Sequence, residues 1–294
     1  MEAAIRPRRS ILFMPGSSAR ALQKARELPA DGLIFDLEDA VAPDAKAGAR
    51  ATVAAAVNAG GYAPRELVLR VNPLDSQWGE GDLALAAGLP LDAVLLPKVE
   101  TAEQVRETVK RLDTLGAPPE MAVWCMVETP RGVMAAADIA GSSPRLAVLV
   151  MGTSDLTTDL RALPTRDRLP LITSLGLVIL AARAHGKAVL DGVHLDLADE
   201  EGFTAACRQG RELGFDGKTL IHPAQIAPAN AAFGPSAEEI DHARRVIAAH
   251  AEAQATGKGV VLLDGRLIEN LHVADAQRTL ALIEAIGKRG GAAL

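Results

Sequence analysis

The chain has 294 residues, 49% of them hydrophobic and 23% charged, with a formal net charge of -6. This is ordinary for a globular protein with a sizeable core. Lys and Arg are interspersed with acids rather than gathered in a stripe, which argues against a nucleic-acid partner. No window approaches an uninterrupted membrane span, and the opening MEAAIRPRRS lacks the apolar stretch of a signal peptide. Cys125 and Cys207 lie far apart in apolar surroundings and read as packing residues of a reducing, cytoplasmic environment.

Short aliphatic runs recur in chain order, most of them followed by an Ala-rich stretch of helical spacing. The spacing predicts strands at Ser10 to Met14, Gly32 to Leu37, Glu66 to Val71, Ala93 to Pro97, Ala122 to Glu128, Leu146 to Met151, Lys187 to Val193 and Gly217 to Ile221. Helices are expected at Ala19 to Leu28, Ala45 to Ala59, Gly81 to Ala87, Ala102 to Thr114, Gly132 to Ala140, Leu169 to His185 and Glu200 to Leu213. Thr101 is an expected N-cap, and Ser236 stands before the acidic first turn of a helix from Ala237 to Ala253. Continuous apolar strands such as AVLL and LAVLVM imply burial on both faces, hence a parallel sheet covered by helices. Eight such units favour a closed (β/α)₈ TIM barrel over residues 1–235, with a doubly wound open sheet as the rival. Residues 236–294 are surplus to a barrel and are expected to form a helical C-terminal extension, a cap over a site, a contact to a neighbouring subunit or a packing helix, among which periodicity does not choose.

Barrel enzymes carry their reacting groups at the carboxyl ends of the strands. Here those positions supply Pro15-Gly16, Asp36, Glu38, Asp39, Arg70, Asn72, Lys98, Glu128, Asp155, Asp191 and His222. Glu128 and Asp155 fall on the fifth and sixth strands, and two neighbouring carboxylates suffice for one magnesium ion, which keeps positions for water and substrate. An isolated acid at such a position is more often a solvated loop residue or a helix cap. Arg70 can grip a carboxylate in bidentate fashion or form a structural salt bridge to the acids of DLED, and spacing does not choose. Lys98 has the same ambiguity, with a Schiff-base role as a third option that the nearby acids argue against. His222 precedes proline and reads as loop-orienting. Gly16, Ser17 and Ser18 open a helix whose backbone N–H groups suit an anion, a weak signal.

The segments RRSILFMPGSS, GLIFDLEDAV, LRVNPLDSQWG, LLPKVE, VETPRG, MGTSDL and GFDGKTLIHPAQI, in that order, resemble the citrate lyase beta-subunit-like and malyl-CoA lyase proteins of the HpcH/HpaI aldolase superfamily. The resemblance covers nearly the whole chain. It implies a Mg²⁺-dependent carbon-carbon lyase that cleaves or forms a 3-hydroxyacyl-CoA such as citryl-CoA, malyl-CoA or citramalyl-CoA, giving an oxo-acid and an acyl-CoA. Hydrolysis of the thioester follows in some members. It implies that Glu128 and Asp155 hold the metal, that Arg70 holds the oxo-acid carboxylate, and that Glu38 and Asp39 support the metal waters and Arg70. Pro15 and Gly16 join Arg70 and Glu128 on the substrate side. Family members carry a C-terminal pattern G-x-M-[IV]-D-x-P whose Asp reaches a neighbouring subunit. Here GRLIENLH places Glu269 at the Asp and Leu271 at the Pro, with Asp264 ahead of the motif. A homotrimer or homohexamer is implied, and further lyase-complex subunits are left open. Two alternatives stand beside this reading: a CoA-independent metal aldolase on hydroxy-oxo acids, and a catalytically silent CoA-binding subunit.

Overall fold

The computed structural model describes residues 5–255 and 261–290. Eight parallel strands close into a barrel in sequence order: β1 (Ser10–Pro15), β2 (Gly32–Asp36), β3 (Glu66–Arg70), β4 (Ala93–Leu96), β5 (Ala122–Val127), β6 (Leu146–Met151), β7 (Ala188–Asp191) and β8 (Gly217–Leu220), with β8 pairing back onto β1. The open-sheet alternative is thereby excluded. The covering helices are α1 (Ala19–Ala25), α2 (Lys46–Ala59), α3 (Gly79–Ala87), α4 (Ala102–Thr114), α5 (Pro130–Met134), α6 (Ala136–Ala140), α7 (Thr153–Asp159), α8 (Ile172–Ala184), α9 (Glu200–Leu213) and α10 (Ile226–Phe233).

Alternation along each strand sorts the core into two layers. Ile11, Ile34, Val68, Leu95, Trp124, Met126, Val148, Val150 and Leu190 form one cluster inside the barrel. Leu33, Phe35, Leu69, Val94, Cys125, Leu149 and Val189 belong to the larger cluster shared with the helices. Both cysteines are buried and unpaired, as packing residues should be.

Thr101 forms a reciprocal capping box with Gln104 at the start of α4. Three expectations change. The helix expected from Gly132 to Ala140 is two short helices broken at Ala135. Two helices were not anticipated: α7, one short run, and α10, whose internal proline hid it.

Residues from Gly234 onward, with the segment ending at Pro7, form a second compact unit. Ser236 and Glu239 cap each other at the start of α11 (Ala237–Ala255), as the acidic first turn predicted. A hairpin then pairs β9 (Val261–Leu263) with β10 (Arg266–Ile268), and α12 runs over Asn270–Gly290. The hairpin turns at Asp264 and Gly265, both at positive φ, which is what an Asp-Gly pair between apolar runs provides. Ala243, Val246, Ile268, Val273 and Ala276 hold this unit together.

Candidate active site

The inward-facing register that is apolar within the barrel turns polar at the carboxyl ends of the strands. Ile34 is followed two residues on by Asp36, Val68 by Arg70 and Met126 by Glu128, all three buried. Asp36 and Arg70 face each other in the β2–β3 register, which explains their pairing. Arg70 Nε donates to Asp36 Oδ1 at 2.7 Å and one terminal nitrogen donates to Asp36 Oδ2 at 2.6 Å. Its other terminal nitrogen lies 2.9 Å from Glu38 Oε2 and 3.5 Å from Asp39 Oδ2. The guanidinium stacks 4.9 Å from the centroid of the Phe13 ring. The salt bridge to the DLED acids is therefore present. The bidentate fork expected to meet a ligand carboxylate is held by Asp36, and the remaining terminal nitrogen is engaged by Glu38 and Asp39.

Glu38 follows β2 in a tight turn, its N–H bonded to Asp36 Oδ1. Burial pushes its carboxyl up to about 7 against the pull of Arg70, with Asp39 adding to the rise. Across the barrel mouth, Glu128 Oε1 accepts the Lys98 backbone N–H at 2.8 Å, and the Lys98 ammonium lies 3.2 Å from Asp155 Oδ2. Lys98 adopts a positive φ of 47°, an uncommon backbone for a lysine, and this turn brings its main chain to Glu128 and its side chain to Asp155. Burial also raises Glu128 to about 7, with the Lys98 N–H and the Arg70 charge pulling the other way and Asp155 adding to the rise. Partial burial would lower the Lys98 ammonium, but Asp155, Glu128 and Glu38 together raise it. A lysine held cationic is a poor Schiff-base nucleophile, so the charged reading stands.

Gly152 makes room for this arrangement. A Cβ there would stand 2.3 Å from both Cβ and Oε2 of Glu128. Gly16 plays a similar part at the end of β1: its N–H donates to the Asp36 carbonyl at 2.9 Å, and a Cβ would come within 2.7 Å of that oxygen. Of the N–H groups expected to suit an anion, that of Gly16 is used in this donation and that of Ser18 donates to the Pro15 carbonyl at 3.0 Å; Pro15 has none to offer.

Two other rim residues point elsewhere. Asp191 is one step out of register with the inward Leu190 and lies in the helix layer, where Lys218 and Arg168 each approach its carboxylate to 2.8 Å. It therefore leaves the convergent set that the strand-end reading had assembled. His222 accepts the Ala224 N–H on Nδ1 and caps a turn, as its place before proline predicted. Glu269 belongs to the second unit, where it is exposed and receives the backbone N–H groups of His272 and Val273 at the start of α12.

Among the described residues no three His, Cys, Asp or Glu side chains converge as a ready metal cage. Magnesium does not require one, since it commonly takes one or two carboxylates and fills its octahedron with water and ligand oxygens. Glu128, the residue after β5, and Asp155, in the first turn of α7 rather than on the sixth strand itself, both raise the Lys98 ammonium and fit that donor set. Lys98, Asp36 and Gly152 complete the local picture, and the first two were visible as strand-end residues although their partners were not.

An eight-stranded parallel barrel with acids, an arginine and a lysine at the carboxyl ends of its strands defines a TIM-barrel enzyme. Residues 9–223 match the family model described as HpcH/HpaI aldolase/citrate lyase, and the chain belongs to this family of lyases and related enzymes. It is 49% identical over 280 residues to a (3S)-malyl-CoA thioesterase of Cereibacter sphaeroides, covering 95% of this chain and 96% of that protein. It is 36% identical to the citrate lyase subunit beta of Escherichia coli, over 97% and 96% of the two chains. Among solved structures, CitE of Mycobacterium tuberculosis in complex with magnesium, acetoacetate and coenzyme A superimposes with a TM-score of 0.74 at 31% identity, covering 95% and 97%.

Proposed function

We propose that this protein is a Mg²⁺-dependent enzyme acting on a 3-hydroxyacyl-CoA of the malyl-CoA class, with hydrolysis of the thioester to the free acid and coenzyme A as its net reaction. The observation that carries the metal-assisted reading is the placement around Lys98 of Glu128, at the end of β5, and Asp155, in the first turn of the helix after β6. The substrate class and the bond broken are supported by the 49% identity to a protein named for that thioesterase activity. Carbon-carbon cleavage to an oxo-acid and an acyl-CoA is the second reading, favoured by the citrate lyase beta relative. The malyl-CoA in the first relative's name and the coenzyme A bound to CitE leave the CoA-independent aldolase with less support.

Glu128 and Asp155 would hold the cation. Bound there, Mg²⁺ supplies Lewis acidity toward a substrate oxygen. The remaining work falls to side chains of the chain itself. Arg70 keeps Glu38 and Asp39 close to a fixed positive charge, and a substrate carboxylate would reach its outer terminal nitrogen in place of the more distant Asp39. Glu38, with a carboxyl near 7 and its Oε2 held by Arg70 and the Asp39 N–H, can take a proton at Oε1 from an attacking water or from the substrate hydroxyl and return it near neutrality. Glu269 is assigned to proton transfer at a neighbouring subunit's site, within a homotrimer or homohexamer. The buried free thiols suit a cytoplasmic setting.

The test is a steady-state assay of purified protein with Mg²⁺ on malyl-CoA, citramalyl-CoA and citryl-CoA, following free thiol and oxo-acid together, with EDTA as control. Thiol release from malyl-CoA without oxo-acid is the expected result. Oxo-acid without thiol would establish the lyase reading instead. No turnover of any of the three would overturn both.

A further inference from the structure

The loop carrying Glu38 is held by a buried cation that the reaction itself does not use. Lys46 opens α2 and is 6% exposed. Its ammonium donates to the Leu37 carbonyl at 2.9 Å and to the Glu38 carbonyl at 2.8 Å, and it lies 5.1 Å from the centroid of the Trp78 ring. Among the described residues no carboxylate forms an ion pair with it. The Leu37 carbonyl also accepts Asn72 Nδ2 at 2.9 Å. Asn72 in turn donates through its backbone N–H and Nδ2 to Asp82 Oδ2, at 2.9 and 2.6 Å. Arg50 closes the network from α2, donating to Asp82 Oδ1 at 2.6 Å and to the Trp78 carbonyl at 2.7 Å.

Burying an ammonium costs free energy, and an apolar side chain would pack α2 against β2 without that cost. What the lysine supplies and a methionine cannot is a pair of charge-assisted bonds to the two consecutive carbonyls that lead into the acid-bearing turn. Asp36 holds the same turn from the other side, accepting the N–H groups of Glu38 and Ala40. We infer that Lys46, backed by Asn72 and Trp78, is a positioning residue that clamps the Leu37–Glu38 backbone and so sets the Glu38 carboxylate against Arg70. This rests on the reading of Glu38 as a proton-transfer group. It also accounts for the segment NPLDSQWG, whose Asn72 and Trp78 serve the clamp.

The experiment compares wild type and Lys46→Met, full length, by hydrogen exchange resolved at Asp39, Ala40 and Val41 and by turnover of (3S)-malyl-CoA. The clamp predicts exchange at those amides faster by about tenfold while the barrel strands keep wild-type protection. It predicts kcat lower by about tenfold with KM little changed, as for loss of a supporting partner behind an active group. In a Glu38→Gln background, Lys46→Met should cost nothing further in kcat. Unchanged exchange in the turn, or an equal kcat loss in both backgrounds, would overturn the clamp. Full turnover by Glu38→Gln alone would overturn the Glu38 reading instead, and the exchange result then decides the clamp unaided. Should Lys46→Met fail to fold, Lys46→Gln removes the charge and cannot keep both bonds; it must speed the same three amides, and no change there counts against the proposal.

Discussion

Glu128 needs its neighbour to be glycine. Gly152→Ala would drive a methyl into the carboxylate, an overpacking strain of about 1–3 kcal/mol. Because the Glu128 side chain is the group displaced, activity should fall by at least about tenfold in a protein that still unfolds cooperatively in urea. Glu38 gives a prediction in pH. Its carboxyl sits near 7, so kcat/KM measured at saturating Mg²⁺, which keeps Glu128 ionised, should fall as pH drops below about 7, where the base becomes protonated, and Glu38→Gln should remove that limb of the profile. A profile unchanged by the substitution would dismiss Glu38 as the proton acceptor. At this scale the sequence announces residue types at strand ends but not their partners. Arg70 was legible as either a ligand or a salt-bridge residue, and the choice depended on Asp36 standing opposite it in the β2–β3 register, which is a fact of strand pairing.

Parity within a strand decides whether a rim acid is functional or structural. Asp191 was counted among the convergent acids because it ends an apolar run, yet one residue of register sends it among the helices. There, burial would raise its carboxyl, but Lys218 and Arg168 outweigh that and hold it below the usual carboxylate range. A folded-state pKa below the unfolded one contributes stability above about pH 4, lost as pH falls through the folded value. Asp191→Asn leaves two cations without their partner and should cost about 3–5 kcal/mol at pH 7 by urea denaturation. The gap to wild type should narrow toward pH 3; a constant gap would mean the cost is not ionic. Strand positions were readable because continuous aliphatic runs leave little alternative. Helices α7 and α10 were not, one being too short for a period to show and the other carrying Pro228. The hairpin around Asp264 and Gly265 did carry its signal, an Asp-Gly pair between two short apolar runs.

For the whole molecule, eight repeating units made closure the expected outcome, and the barrel is closed. The second unit was legible as surplus chain opening with one capped helix, because periodicity describes a helix without saying what it packs against. Its proposed service to a neighbouring subunit makes oligomerisation a requirement: light scattering of the purified protein should give a trimer or hexamer, and a monomer would remove Glu269 from the scheme. Among the described residues no helix is long and apolar enough to cross a membrane.

The central claim is that Glu128 and Asp155 hold the cation on which turnover depends. Calorimetric titration of Mg²⁺ into wild type and Glu128→Gln, paired with malyl-CoA turnover on the same preparations, tests it most directly. The account predicts that the variant loses Mg²⁺ affinity by at least about a hundredfold and turnover with it. Wild-type Mg²⁺ affinity in Glu128→Gln, or turnover that survives EDTA, would contradict it.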